Sequence, residues 1–208
     1  MIFLGPSLEH ERAREILDAD YRPPVKRGDL QQLPPGTDVV GIIDGVLLTD
    51  AAVGHREILA LLDDEVRVYG GGSMGALRAA ELSDLGMIGV GRIFQEYSSG
   101  RVDGDDEVVL AYDPFTLLPL SEPLINLRLN LEEAAARGAA SRESVTRLIS
   151  MLKRTYYPRR SYELLASMVR ENLEADEAES LSEYLVRDRV DHKRNDAILL
   201  LNAVKCGC

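Results

Sequence analysis

The stretch Val66-Arg67-Val68-Tyr69-Gly70-Gly71-Gly72-Ser73-Met74-Gly75-Ala76-Leu77 governs the reading of this chain. A valine-rich run enters three glycines, a serine follows, and apolar residues then recur at helical spacing. That pattern predicts a strand, a tight turn and a helix. Gly71-x-Ser73-x-Gly75 fits a nucleophile elbow, in which the turn presents a hydroxyl at a helix N-terminus. Backbone N–H groups of Met74 and its neighbours can hold a developing oxyanion there. Gly70-x-Gly72-x-x-Gly75 also fits a phosphate or dinucleotide loop. It follows the third strand rather than the first, however, and the acidic residue wanted about 20 positions on would have to lie in the glycine-rich stretch 86–91. A third reading is structural, with glycines for close packing and Ser73 as a helix cap.

Upstream, residues 39–43 form a β-branched run, interrupted only by Gly41, of the kind found in buried parallel strands, ending at Asp44-Gly45. Residues 51–62 then have helical spacing. At the start, residues 2–4 are a short apolar run before Gly5-Pro6, after which Ser7 is placed to cap a helix reaching about Asp20. The proline-rich segment 21–35 reads as a surface connection. Alternation of buried strands with helices predicts a parallel sheet with right-handed crossovers.

Downstream, residues 86–119 look irregular apart from an expected strand at 108–112. Residues 124–137, 142–154, 161–173 and 177–204 are apolar at helical spacing, with a break expected near Arg189-Val190-Asp191. The expected fold class is therefore α/β, a parallel-sheet N-terminal half with Rossmann-like βαβ units followed by a helical C-terminal half. The expected division is 1–120 for the α/β core and 121–208 for a helical region that serves as a partner-docking surface.

Composition narrows the functions. With 208 residues, 45% of them hydrophobic and 28% charged, the chain is long enough to bury a core and too apolar for disorder. A formal charge of -11 opposes general nucleic-acid binding and docking on anionic membranes. No stretch reaches the roughly 20 apolar residues of a membrane span, and the first residues lack the basic start of a signal peptide. A cytoplasmic protein is expected. Cys206 and Cys208 read as a frayed terminus.

A serine nucleophile needs a base. His10 and His192 lie in charged runs and read as solvated. His55 starts the helix leading into the Ser73 strand, and Asp44 ends the preceding strand, where open parallel sheets gather their chemistry. Ser73, His55 and Asp44 are thus the expected catalytic residues. Gly72, Met74, Gly75, Arg78, Glu81 and Ser7 are the expected substrate- or anion-binding residues around them. Arg78 and Glu81, three apart on one helix, also suit a plain ion pair. The acidic run Asp105-Asp106-Glu107 reads as solvated rather than metal-binding, and no cofactor is expected. The basic and aromatic run Lys153-Arg154-Thr155-Tyr156-Tyr157-Pro158-Arg159-Arg160 reads either as a solvated loop or as a docking surface for an acidic protein.

One set of motifs, in order, carries a resemblance. Ile2-Phe3-Leu4-Gly5-Pro6-Ser7-Leu8, Tyr21-Arg22-Pro23-Pro24, Gly28-Asp29-Leu30, Ile42-Ile43-Asp44-Gly45-Val46 and His55-Arg56-Glu57-Ile58-Leu59 come first. Ser73-Met74-Gly75-Ala76-Leu77-Arg78-Ala79-Ala80-Glu81-Leu82, Gly86-Met87-Ile88-Gly89-Val90-Gly91, Asp105-Asp106-Glu107-Val108 and Leu120-Ser121-Glu122-Pro123-Leu124 follow. Over roughly residues 1–130 the chain resembles TfuA-like proteins. The resemblance implies partnership with a YcaO enzyme that uses ATP to replace a peptide backbone oxygen by sulfur. It further implies a role in supplying sulfur from a ThiS-like carrier with a C-terminal thiocarboxylate. Two roles fit: hydrolysis of that thiocarboxylate through Ser73, or a non-catalytic adaptor that holds the carrier tail at the Ser73 turn.

Overall fold

The computed structural model describes residues 1–47 and 51–207, which form two compact units. The first comprises Met1–Asp105 together with His192–Cys208, and the second comprises Asp106–Asp191. Cys208 lies outside the described residues.

The first unit is built on five strands: β1 (Ile2–Phe3), β2 (Tyr21–Arg22), β3 (Val39–Ile42), β4 (Arg67–Gly71) and β5 (Ile88–Val90). They form one sheet in the order β2-β1-β3-β4-β5, and every pairing is parallel. The connecting helices are α1 (His10–Ile16), α2 (His55–Asp63), α3 (Met74–Leu82) and α4 (Arg92–Ser98). Residues in adjacent positions of β4 face opposite layers, as the strand period of two requires. A Cβ placed on Gly70 would meet Gly75 and Ala79 of α3, whereas one on Gly71 would meet Leu200. Leu200 belongs to α9 (His192–Gly207), the last helix of the chain, which packs with α1 over the sheet through Ala197, Leu200, Leu201 and Val204.

The second unit is helical: α5 (Leu124–Ala136), α6 (Arg142–Arg154), α7 (Tyr162–Asn172) and α8 (Ala175–Arg187). Ser141 and Ser161 cap α6 and α7, accepting from the N–H groups of Ser144 and Leu164. Their apolar stripes meet in a core that includes Leu127, Leu148, Leu165 and Leu181. The break near Arg189-Val190-Asp191 has a clear cause. Asn130, fully buried in α5, accepts from the Val190 N–H at 2.7 Å and donates to the Val190 carbonyl at 2.8 Å.

Several expectations change. The division falls after Asp105 rather than near 120, and α9 lies with the sheet although it follows the helical segment in sequence. No strand spans 108–112; Tyr112 makes only an isolated antiparallel bridge to Pro119. Ile88–Val90 forms the edge strand β5 by parallel pairing with β4, and its Gly89 leaves room for the Phe94 ring, which a Cβ there would meet at 2.2 Å. The first helix has Glu9, not Ser7, at its N-cap position, and no side chain caps it there.

Candidate functional site

The Ser73 turn is assembled by close approach. A Cβ on Gly75 would stand 1.7 Å from the Ile42 carbonyl oxygen, so only glycine lets α3 begin directly against β3. Gly72 has φ +72°, which lets the chain reverse between β4 and α3. The Ser73 N–H then donates to the Gly71 carbonyl at 2.8 Å, and the Ser73 carbonyl accepts from the Ala76 and Leu77 N–H groups. Ser73 is buried at the N-terminus of α3, where the helix dipole favours negative charge. The Gly75 N–H is taken by the Ile43 carbonyl at 3.2 Å. Met74 therefore supplies the first-turn amide that remains for an oxyanion.

Asp44 ends β3 beside this turn and is 2% exposed. A Cβ on its neighbour Gly45 would stand 2.7 Å from Met74 Cγ. One Asp44 oxygen accepts from the Gly5 and Ser7 N–H groups at 2.9 and 3.0 Å, and the other accepts from the Ser7 hydroxyl at 2.7 Å. Ser7 therefore serves Asp44 instead of capping α1. The Lys193 ammonium lies 3.7 Å from Asp44 Oδ1, and both side chains are 3% exposed. Lys193 enters from the first turn of α9, whose backbone runs past the glycine turn. A Cβ on Gly72 would stand 3.4 Å from the Lys193 carbonyl oxygen. The carboxyl edge of the sheet thus carries Ser7, Asp44, Ser73 and Lys193 from four separate segments.

His55 is placed differently. Its ring Nε2 lies 2.8 Å from Glu81 Oε2 and 3.5 Å from Arg78 Nη1, and half of its side chain is exposed. It bonds neither Asp44 nor Ser73. The expected Asp44–His55–Ser73 relay is therefore not formed, because Asp44 is committed to Ser7 and Lys193. Arg78 is fixed by the Val53 carbonyl at 3.2 Å and by Glu81 at 2.6 Å. His55, Arg78 and Glu81 make a partly exposed charged cluster spanning α2 and α3.

Sequence reasoning missed Lys193 because its neighbours Asp191, His192 and Arg194 make the run look solvated. His192 and Lys193 are in fact 5% and 3% exposed. The signal that could have exposed it is the apolar face of α9, Ala197, Leu200, Leu201 and Val204, which repeats from Lys193 at helical spacing.

The acidic run is not simply solvated. Glu107 is buried and receives Arg128 through two bonds at 3.0 and 2.5 Å, and Asp106 receives Arg160 at 2.9 Å. Among the described residues no group of three His, Cys, Asp or Glu side chains is arranged to hold a metal.

A family model described as TfuA-like protein matches residues 44–161. The match includes Asp44, His55 and Ser73 and stops before Lys193. A comparison with curated proteins gives no match.

Proposed function

The chain belongs to the TfuA-like family, which is associated with YcaO enzymes in thioamide formation, and from that premise we propose that it releases sulfur from the C-terminal thiocarboxylate of a ThiS-like carrier, with Ser73 as nucleophile. The observation that carries this reading is the buried Lys193–Asp44 pair beside a buried serine at a helix N-terminus.

A thiocarboxylate is anionic and a poor electrophile. The Lys193 ammonium protonates its sulfur, giving a neutral thioacid and a neutral amine. Ser73 Oγ then attacks the carbonyl carbon, and its proton passes to the Lys193 amine. The oxyanion forms at the Met74 amide and the start of α3. Collapse breaks the C–S bond, and the hydrosulfide takes the proton from Lys193 and leaves as hydrogen sulfide, so Lys193 is again an amine. That amine takes a proton from the water that hydrolyses the ester, Ser73 leaves as its hydroxyl, and Lys193 ends as the ammonium, so that carrier thiocarboxylate and water become carrier carboxylate and hydrogen sulfide. Asp44 holds Lys193, and Ser7 with the Gly5 amide holds Asp44. The exposed His55, Arg78 and Glu81 cluster suits the approach of the carrier rather than the chemistry. YcaO, supplied with sulfide in a complex, performs the ATP-dependent step.

The purified chain, mixed with a thiocarboxylated ThiS-like carrier and no YcaO, is expected to release sulfide. A chain that releases none yet still accelerates thioamidation by YcaO is an adaptor that raises effective concentration.

A further inference from the structure

Four of the large exposed apolar side chains, Phe115, Leu118, Leu120 and Tyr156, lie on two loops of the helical unit. The first is the hairpin 111–121. It is closed by the Leu120 N–H to the Ala111 carbonyl at 2.7 Å and by the Asp113 N–H to the Leu118 carbonyl at 2.9 Å. At its tip the Asp113 carboxylate accepts from the Phe115 and Thr116 N–H groups, both at 2.8 Å. The tip is therefore fixed by its own bonds while Phe115 stays 94% exposed. The second loop joins α6 to α7 and carries Tyr156 edge-on to Tyr157, with ring centroids 5.1 Å apart. Arg160 ties the two loops together. Its carbonyl accepts from the Glu122 N–H at 2.8 Å, and its guanidinium binds the Leu152 and Thr155 carbonyls and Asp106.

The charge beside this apolar surface is opposite to that of the chain. Lys153 and Arg154, the last two residues of α6, and Arg159 on the second loop are exposed. Arg154 and Arg159 enter no ion pair among the described residues, in a chain of formal charge -11. Pre-ordered exposed aromatics, with exposed cations in the chain on either side of Tyr156, have the composition of an interface hot spot with steering charge. An overall acidic chain repels polyphosphate and anionic lipid, which leaves a protein as the fitting occupant.

We propose that this surface docks an acidic partner protein, with Phe115 and Tyr156 entering an apolar recess and carboxylates around that recess meeting Lys153, Arg154 and Arg159. The assignment of that partner as the YcaO enzyme rests on the function proposed above.

The test titrates the full chain with the YcaO enzyme at low and high salt, comparing wild type, Phe115→Ala and the double variant R154E/R159E. Phe115→Ala should weaken binding at least tenfold at both salts. R154E/R159E should weaken it at least tenfold at low salt, with the loss shrinking at high salt. Both variants binding within twofold of wild type overturns the proposal. So does a wild-type dimer that Phe115→Ala dissolves, or binding of duplex RNA or anionic vesicles that the double variant abolishes. Sulfide release without YcaO, measured on the same proteins, is expected to be unchanged by these variants. If wild type releases no sulfide while the binding losses appear, the Ser73 reading fails and the docking surface stands.

Discussion

Lys193 and His55 make opposite predictions at the level of single residues. Lys193→Met removes the group that handles the proton and leaves Asp44 buried without its cation. Sulfide release should fall by at least 100-fold, the scale of a lost general acid–base group. Lys193→Arg should restore little, because a guanidinium does not give up its proton. His55→Ala should leave turnover within about threefold and change stability by no more than about 0.5 kcal/mol, since it loses only half-exposed contacts to Glu81 and Arg78. Steady-state sulfide kinetics on the three variants separate the two residues. A His55→Ala loss as large as that of Lys193→Met would return the proton transfer to histidine. Ser73 was legible in the sequence because a glycine turn between a strand and a helix leaves its residue few roles. Asp44 was legible by position, but its partners were not. Which carboxylate meets which cation depends on packing across more than 100 residues of chain, and histidine invites the role that the proposed chemistry gives to a lysine.

At the level of elements, α9 is anchored by one carboxylate. Asp196 is buried and accepts from the Arg92 and Ile93 N–H groups at 2.9 and 2.8 Å, so it caps α4 from a different helix. Gly91, with φ +95°, leaves room for it; a Cβ there would stand 2.3 Å from Asp196 Cγ. Burial pushes the Asp196 carboxyl up from 3.8 to about 6, against the lowering by the Ile93 and Arg92 amides. Because the folded value is raised, its favourable contribution is complete below about pH 4 and is lost as pH rises through about 6. The loss amounts to about 3 kcal/mol at neutral pH. Wild type and Asp196→Asn, unfolded by denaturant at pH 5 and pH 7.5, should differ in their pH slopes in this sense. Equal slopes would remove Asp196 from the balance. The strand–helix alternation of β3, α2, β4 and α3 was legible because short apolar runs at 39–43 and 66–69 end at glycines and are followed by helical spacing. β2 and β5 were not, since prolines beside one and glycines within the other mask short strands that the sheet itself recruits.

For the whole molecule, the main consequence is that the α/β unit is discontinuous in sequence. Its sheet ends with β5, but one face is completed by Ala197, Leu200, Leu201 and Val204 of α9. A chain ended after Asp191 would lose these four buried side chains, of which the three large ones are worth about 5–9 kcal/mol at roughly 1.5–3 kcal/mol each. That is comparable to the stability of a whole domain. Calorimetry on the truncated chain should show the α/β transition gone and the transition of the continuous helical unit kept. Loss of both would mean that the helical unit cannot stand by itself. Composition could not reveal this arrangement, since a helix at the end of a helical run carries no mark of the layer it joins. Lys193 arrives on the same α9, so the unit is completed and the site is furnished by one element. The central claim is that this site cleaves a carrier thiocarboxylate through Ser73. It is tested most directly by incubating wild type and Ser73→Ala with a thiocarboxylated carrier in the absence of YcaO and measuring sulfide. The account predicts steady release by wild type and a fall of at least 100-fold for Ser73→Ala, with the variant still folded by circular dichroism. Equal release by the two proteins would contradict it.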